Sequence, residues 1–123
     1  FSASIGLVQL KKLDKLNTLR RKIAKIYSQE IKINSKMQFD EHCSYHLYWI
    51  LVKNRNEFQK RMNEHGIETG THYKPIHTFS LYKSKIKLKN TENIGKKVVS
   101  IPCHTNLNEA EIGKIIRLTN KFS

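Results

Sequence analysis

A chain of 123 residues with 38% hydrophobic and 27% charged residues is long enough for one packed domain and too apolar for a disordered tail. Its formal net charge of +13 invites an anionic partner, but the basic residues run from Lys11 to Lys121 rather than forming one stripe, so solvated lysines account for most of it and nucleic acid is the weaker reading. No apolar run approaches the ~20 residues of a membrane span, and two cysteines in a chain without secretory features argue against a disulfide framework, so a cytoplasmic protein with reduced thiols is expected.

The chain opens at Phe1 already inside an apolar helical pattern with no capping residues before it, which predicts that further chain precedes it. From residue 4 to about residue 31, Ile5, Val8, Leu13, Leu16, Leu19, Ile23, Ile26 and Tyr27 recur mostly at steps of three and four. That spacing predicts one long amphipathic helix, with Lys11, Lys15, Lys22 and Lys25 extending into water on its other face. Residues 34–40 are polar and unpatterned, a connection. Residues 43–53 are rich in aromatic and β-branched side chains, as a strand packed on at least one face should be.

Asn54 supplies an N-cap signal for a short helix whose inner side carries Phe58, Met62 and His65, and Gly66 stands where a left-handed residue ends it. Residues 67–73 read as a second strand, broken at Lys74-Pro75 because proline cannot donate to a ladder. A short helix over 76–82, a lysine-rich surface loop over 82–91, a helix over 91–99 capped by Thr91 and an extended edge segment over 100–104 follow. The last stretch, 108–122, opens with Asn108 and Glu111 at capping-box spacing and continues with Ile112, Ile115, Ile116 and Leu118. The order predicts a single α/β domain over residues 1–123, an α+β layer with a long N-terminal helix and a small few-stranded sheet covered by helices.

Six histidines and two cysteines raise the question of a metal site, but Cys43 and His46 lie three apart and Cys103 and His104 are adjacent, so on a strand each pair points to opposite faces and no metal is expected. The same alternation removes Cys103 and His104 as a nucleophile and base; Cys103 is read as a buried packing residue. Gly66 and Gly70 flank a predicted strand rather than open a helix, so no phosphate-cradling loop is present. One cluster remains: His72, Tyr73, Lys74 and His77 gather hydrogen-bonding groups and a cation around the bend at Pro75, a rigid platform of the kind binding sites use.

Four segments, in order, resemble the DegT/DnrJ/StrS group of sugar aminotransferases, which are fold-type-I pyridoxal-phosphate enzymes. They are residues 2–14 with the Arg20-Arg21 run to Tyr27; His46 and Tyr48 with Arg55; Gly66 through His77, the most specific; and residues 100–107 with the helix after them. Together they span nearly the whole chain.

The resemblance implies the C-terminal small domain of a homodimeric enzyme that moves an amino group, usually from glutamate, onto a nucleotide-linked keto-sugar for polysaccharide synthesis. It implies pyridoxal 5′-phosphate as cofactor, bound mainly by a large domain upstream of residue 1 that also holds the Schiff-base lysine, so no catalytic lysine is assigned in this chain and the chain alone is expected to be inactive. His77 and Tyr73, then His72 and Lys74, become the substrate-binding candidates, able to hydrogen-bond a sugar hydroxyl or a phosphate oxygen. The alternative is a small basic module that binds nucleic acid with a steep salt dependence.

Overall fold

Helix α1, Ser2–Glu30, runs for 29 residues, or about 44 Å at ~1.5 Å per residue. It is the longest element by far. The computed structural model, which describes residues 1–82 and 86–123, gives it a sheet of only two four-residue strands to pack on. Such strands are about 13 Å long, so the helix can use only its C-terminal half. Ile23, Ala24 and Tyr27 are buried there, whereas Ile5, Leu7, Val8, Leu10 and Leu13 stand in solvent.

Strand β1, Tyr48–Leu51, pairs antiparallel with β2, Val98–Ile101, in the register Tyr48 to Ile101 and Leu51 to Val98. The expected strand over 43–53 is therefore shorter. Tyr45 takes φ 48, a left-handed conformation that interrupts an extended chain. Its ring is buried all the same, and its hydroxyl accepts from the Asp40 N–H and donates to the Gln38 carbonyl at 3.2 Å.

Helix α2, Arg55–Glu64, begins where Asn54 predicts, with the Asn54 side chain accepting from the Glu57 N–H. Phe58 and Met62 enter the core, but His65 stays exposed, its ring 5.2 Å from that of Phe122. Gly66 takes φ 75, the left-handed end expected of it.

Beyond Gly66 three expectations need correction. The second strand over 67–73 reduces to a single bridge, Gly70 exchanging both backbone bonds with Ser100 at 2.9 and 2.8 Å, because the chain bends away towards Pro75 before a ladder can grow. In consequence β2 is not an edge. All four of its residues are buried, with β1 on one side and Gly70 on the other. The helix over 91–99 is α3, Lys89–Lys97, and Thr91 does not cap it; Leu88 holds that position, and the Glu92 carboxylate accepts the Leu88 N–H at 3.0 Å. At Val98 the backbone turns extended and α3 passes into β2 without a loop.

The short helix over 76–82 resolves into two single turns of 3-10 helix, Ile76–Thr78 and Ser80–Tyr82. Of the lysine-rich loop expected over 82–91, residues 83–85 lie outside the described residues and the end belongs to α3. Helix α4, Glu109–Phe122, carries the predicted capping box between Asn108 and Glu111 and buries Ile112, Ile115, Ile116 and Leu118. Asn120 on α4 accepts from the Lys32 N–H at 2.8 Å and donates to the Glu30 carbonyl at 3.0 Å, closing the C-terminal end of α1. Among the described residues no helix is long and apolar enough to cross a membrane.

Candidate functional site

The candidate cluster lies on the bend that joins the Gly70 bridge to α3. Its backbone is fixed locally first: Pro75 presets its own φ, the Thr78 N–H and hydroxyl both bond the Pro75 carbonyl at 3.0 and 2.7 Å, and the Phe79 N–H bonds Ile76. The bend then docks on α3 at two places. Pro75 lies so close to Gly95 that a β-carbon at Gly95 would stand 2.7 Å from two ring carbons. His77 Nε2 lies 3.3 Å from Glu92 Oε1. Glu92 and Gly95 are three apart on α3 and so share a face. That face is the platform for the bend.

The docking is itself held from behind. Arg55, at the start of α2, donates from Nη1 to the Gly95 carbonyl at 2.6 Å, which ties the last turn of α3 to the neighbouring helix. Arg55, Lys74, Thr78, Glu92 and Lys96 border a cavity of about 210 Å³ beside the bend. The hydrogen bond from His77, first, and that from Leu88, second, hold the Glu92 carboxyl below the usual carboxylate range.

The four predicted residues are brought onto one bend but not into one cavity. His72 folds back over Gly70, so that its ring fills the space a β-carbon there would need, and faces a cleft of about 450 Å³ bordered by His46, Glu68, Ser100 and His104. His72 Nδ1 and Ser100 Oγ are sealed from water there without a hydrogen-bond partner among the described residues. Tyr73 is 72% exposed, its ring edge-on to His72 at 5.0 Å. Lys74 is exposed at the rim of the smaller cavity, and His77, at 16%, is turned towards Glu92.

Glu92 is the residue that sequence reasoning missed. It sits fifteen positions beyond its partner in an unremarkable helical run, and only the docking of the bend on α3 brings the two together.

Cys103 borders the larger cleft as a packing residue. It is buried, its Sγ lies 4.0 Å from the Arg20 carbonyl oxygen, and burial pushes its thiol up to about 11 against the smaller opposing pull of Arg20. His104 beside it is exposed. Iodoacetamide applied to the native chain at about pH 8 is expected to label the half-buried Cys43 and spare Cys103, because the thiolate is the reactive form. Peptide mass spectrometry reads the outcome, and equal labelling of both would contradict it.

Residues 1–119 match the DegT/DnrJ/EryC1/StrS aminotransferase family. A UDP-4-amino-4,6-dideoxy-N-acetyl-beta-L-altrosamine transaminase of Campylobacter jejuni is 36% identical over 120 residues, covering 87% of this chain and 32% of its own length. Helicobacter pylori PseC, an aminotransferase involved in the biosynthesis of pseudoaminic acid, superposes with a TM-score of 0.82 at 31% identity, over 95% of this chain and 35% of its own. The aminotransferase TlmJ of Streptoalloteichus hindustanus superposes with a TM-score of 0.88 at 26% identity, over 97% and 35%. The chain thus spans about a third of the length of the relatives it matches.

Proposed function

The chain belongs to the DegT/DnrJ/EryC1/StrS aminotransferase family, and from that premise we propose that it is the small domain of a pyridoxal-phosphate-dependent sugar aminotransferase, gripping a nucleotide-linked keto-sugar while an upstream large domain performs the transamination. When bound, pyridoxal phosphate supplies the electron sink for moving the amino group. The residues of this chain do not fit it. A Schiff-base lysine is desolvated within its site, yet no lysine among the described residues is buried. We therefore assign that lysine, and most of the cofactor's contacts, to the upstream large domain.

One observation carries the substrate-gripping reading: the bend is pinned to α3 at Pro75 and at His77, yet it leaves Tyr73 and Lys74 uncovered. Pinned backbone with free polar ends suits recognition rather than packing. Family membership favours this reading over a basic nucleic-acid-binding module. The names of the relatives favour a nucleotide-linked sugar as the substrate.

The exposed Ile5, Val8, Leu10 and Leu13 of α1, with Ile76, Phe79 and Leu81 beyond the bend, form apolar surface that a monomeric small domain would not leave uncovered. We assign it to contact with the large domain and with the second subunit of a homodimer in the cytoplasm.

The test separates the two half-reactions of the full-length enzyme. His77→Phe, which keeps a ring and removes both nitrogens, is expected to lower kcat/KM for the keto-sugar on the order of tenfold, the weight of one hydrogen bond of about 1.4 kcal/mol. The half-reaction with glutamate should be unchanged. Equal loss in both halves would move His77 out of the sugar site.

A further inference from the structure

Resting on the reading that His77 meets the substrate, we propose that Glu92 is a positioning residue for it: the Glu92 carboxylate holds the Nε2–H of His77 and so decides that Nδ1 is the ring nitrogen presented to the sugar nucleotide.

The geometry fixes the direction of the bond. Glu92 is held below the ordinary carboxylate range, so it is ionised at neutral pH and can only accept. The hydrogen between His77 Nε2 and Glu92 Oε1, 3.3 Å apart, therefore belongs to the histidine. Nδ1 makes no hydrogen bond to any described residue. The carboxylate is itself anchored, since the same Oε1 accepts the Leu88 N–H at the start of α3, where the helix end also favours negative charge. The side chains are 16% and 35% exposed, which leaves the pair partly shielded from water.

The charged groups around Glu92 act in the same direction. Lys96 on α3 adds a cation that favours its ionised form, and Arg55 at the start of α2 and Lys74 on the bend are the other cations bordering the cavity it faces. One turn further along α3, the contact of Pro75 with Gly95 sets the height of the bend so that His77 reaches Glu92. A ring tethered at one nitrogen has its tautomer and its orientation set together. Fixing both is what a substrate-side histidine needs in order to discriminate a hydroxyl donor from a phosphate acceptor.

In the full-length enzyme, Glu92→Gln is expected to lower kcat/KM for the keto-sugar on the order of tenfold, the size of an ordinary pairwise coupling. Gln keeps an oxygen for the Leu88 N–H, so melting should barely change, and Glu92→Asp should recover part of the loss. Long-range ¹H–¹⁵N spectra should show His77 protonated at Nε2 in the parent and as mixed tautomers in Glu92→Gln. In a His77→Phe background, Glu92→Gln should cost nothing further. An equal additional loss there would overturn the proposal, since Glu92 would then act through α3 and not through His77. An inert His77→Phe with a damaging Glu92→Gln would overturn instead the reading of His77 on which it rests.

Discussion

Tyr27→Ala is expected to destabilise the 123-residue chain by about 4–8 kcal/mol, enough to unfold most of it only at the low end of domain stability. Tyr27 is fully buried near the C-terminal end of α1, its ring edge-on to Tyr48 of β1 at 5.2 Å. Its hydroxyl donates to the Pro102 carbonyl at 2.8 Å, just beyond the end of β2. Burial holds the phenol well above the ordinary tyrosine range, so it remains a donor at any working pH. One side chain thus joins the long helix to both strands.

Removing a buried aromatic costs about 3–5 kcal/mol, and stranding a buried carbonyl about 1–3 kcal/mol, against about 5–15 kcal/mol for a typical domain. Tyr27→Phe keeps the ring and loses only the hydrogen bond, so about 1–3 kcal/mol is expected of it. Urea unfolding followed through Trp49, the sole tryptophan, measures both. Equal losses would show that the hydrogen bond, not the packing, holds α1 to the sheet. A loss below about 1 kcal/mol in Tyr27→Ala would remove Tyr27 from the core altogether.

The helices were the legible part of this fold because their signals are local. The stripe of α1, the Asn54 cap of α2 with Gly66 at its end, and the Asn108–Glu111 capping box of α4 each lie within one or two turns of sequence. The strands were less legible because pairing is not local. Residues 67–73 carry strand composition, but only Gly70 finds a partner, and residues 100–104 look too short to matter although β2 is the buried middle of the layer.

The site divides in the same way. The bend and its four polar residues could be marked from Pro75 and the residue types around it. That His72 faces the sheet while His77 faces α3, and that Glu92 is waiting there, depends on where α3 packs. The half-exposed α1 escaped for another reason. An apolar stripe predicts a helix face without saying whether this chain supplies the surface that covers it.

Gly95→Ala is expected to damage recognition more than stability, which would tie the α3 platform directly to the bend. Alanine gains about 1 kcal/mol of helix propensity over glycine. The new methyl, however, would stand 2.7 Å from Cδ and Cγ of Pro75, a ring that cannot rotate out of the way. Relief must come from movement of the bend, at about 1–3 kcal/mol for overpacking, so the two terms nearly cancel in melting. Recognition has no such compensation, because lifting Pro75 draws His77 off Glu92.

A fall in kcat/KM for the keto-sugar of up to about tenfold, the loss assigned to His77 itself, is therefore expected, with melting within a few degrees of the parent. Gly113→Ala provides the control. Gly113 lies exposed on α4 with nothing within 4 Å of its would-be β-carbon, so only the gain in helix propensity remains and kcat/KM should not fall. Adding Pro75→Ala to Gly95→Ala removes the two clashing ring carbons and should restore part of the activity. Were the double variant no better than Gly95→Ala, the contact between bend and helix would not be what seats His77.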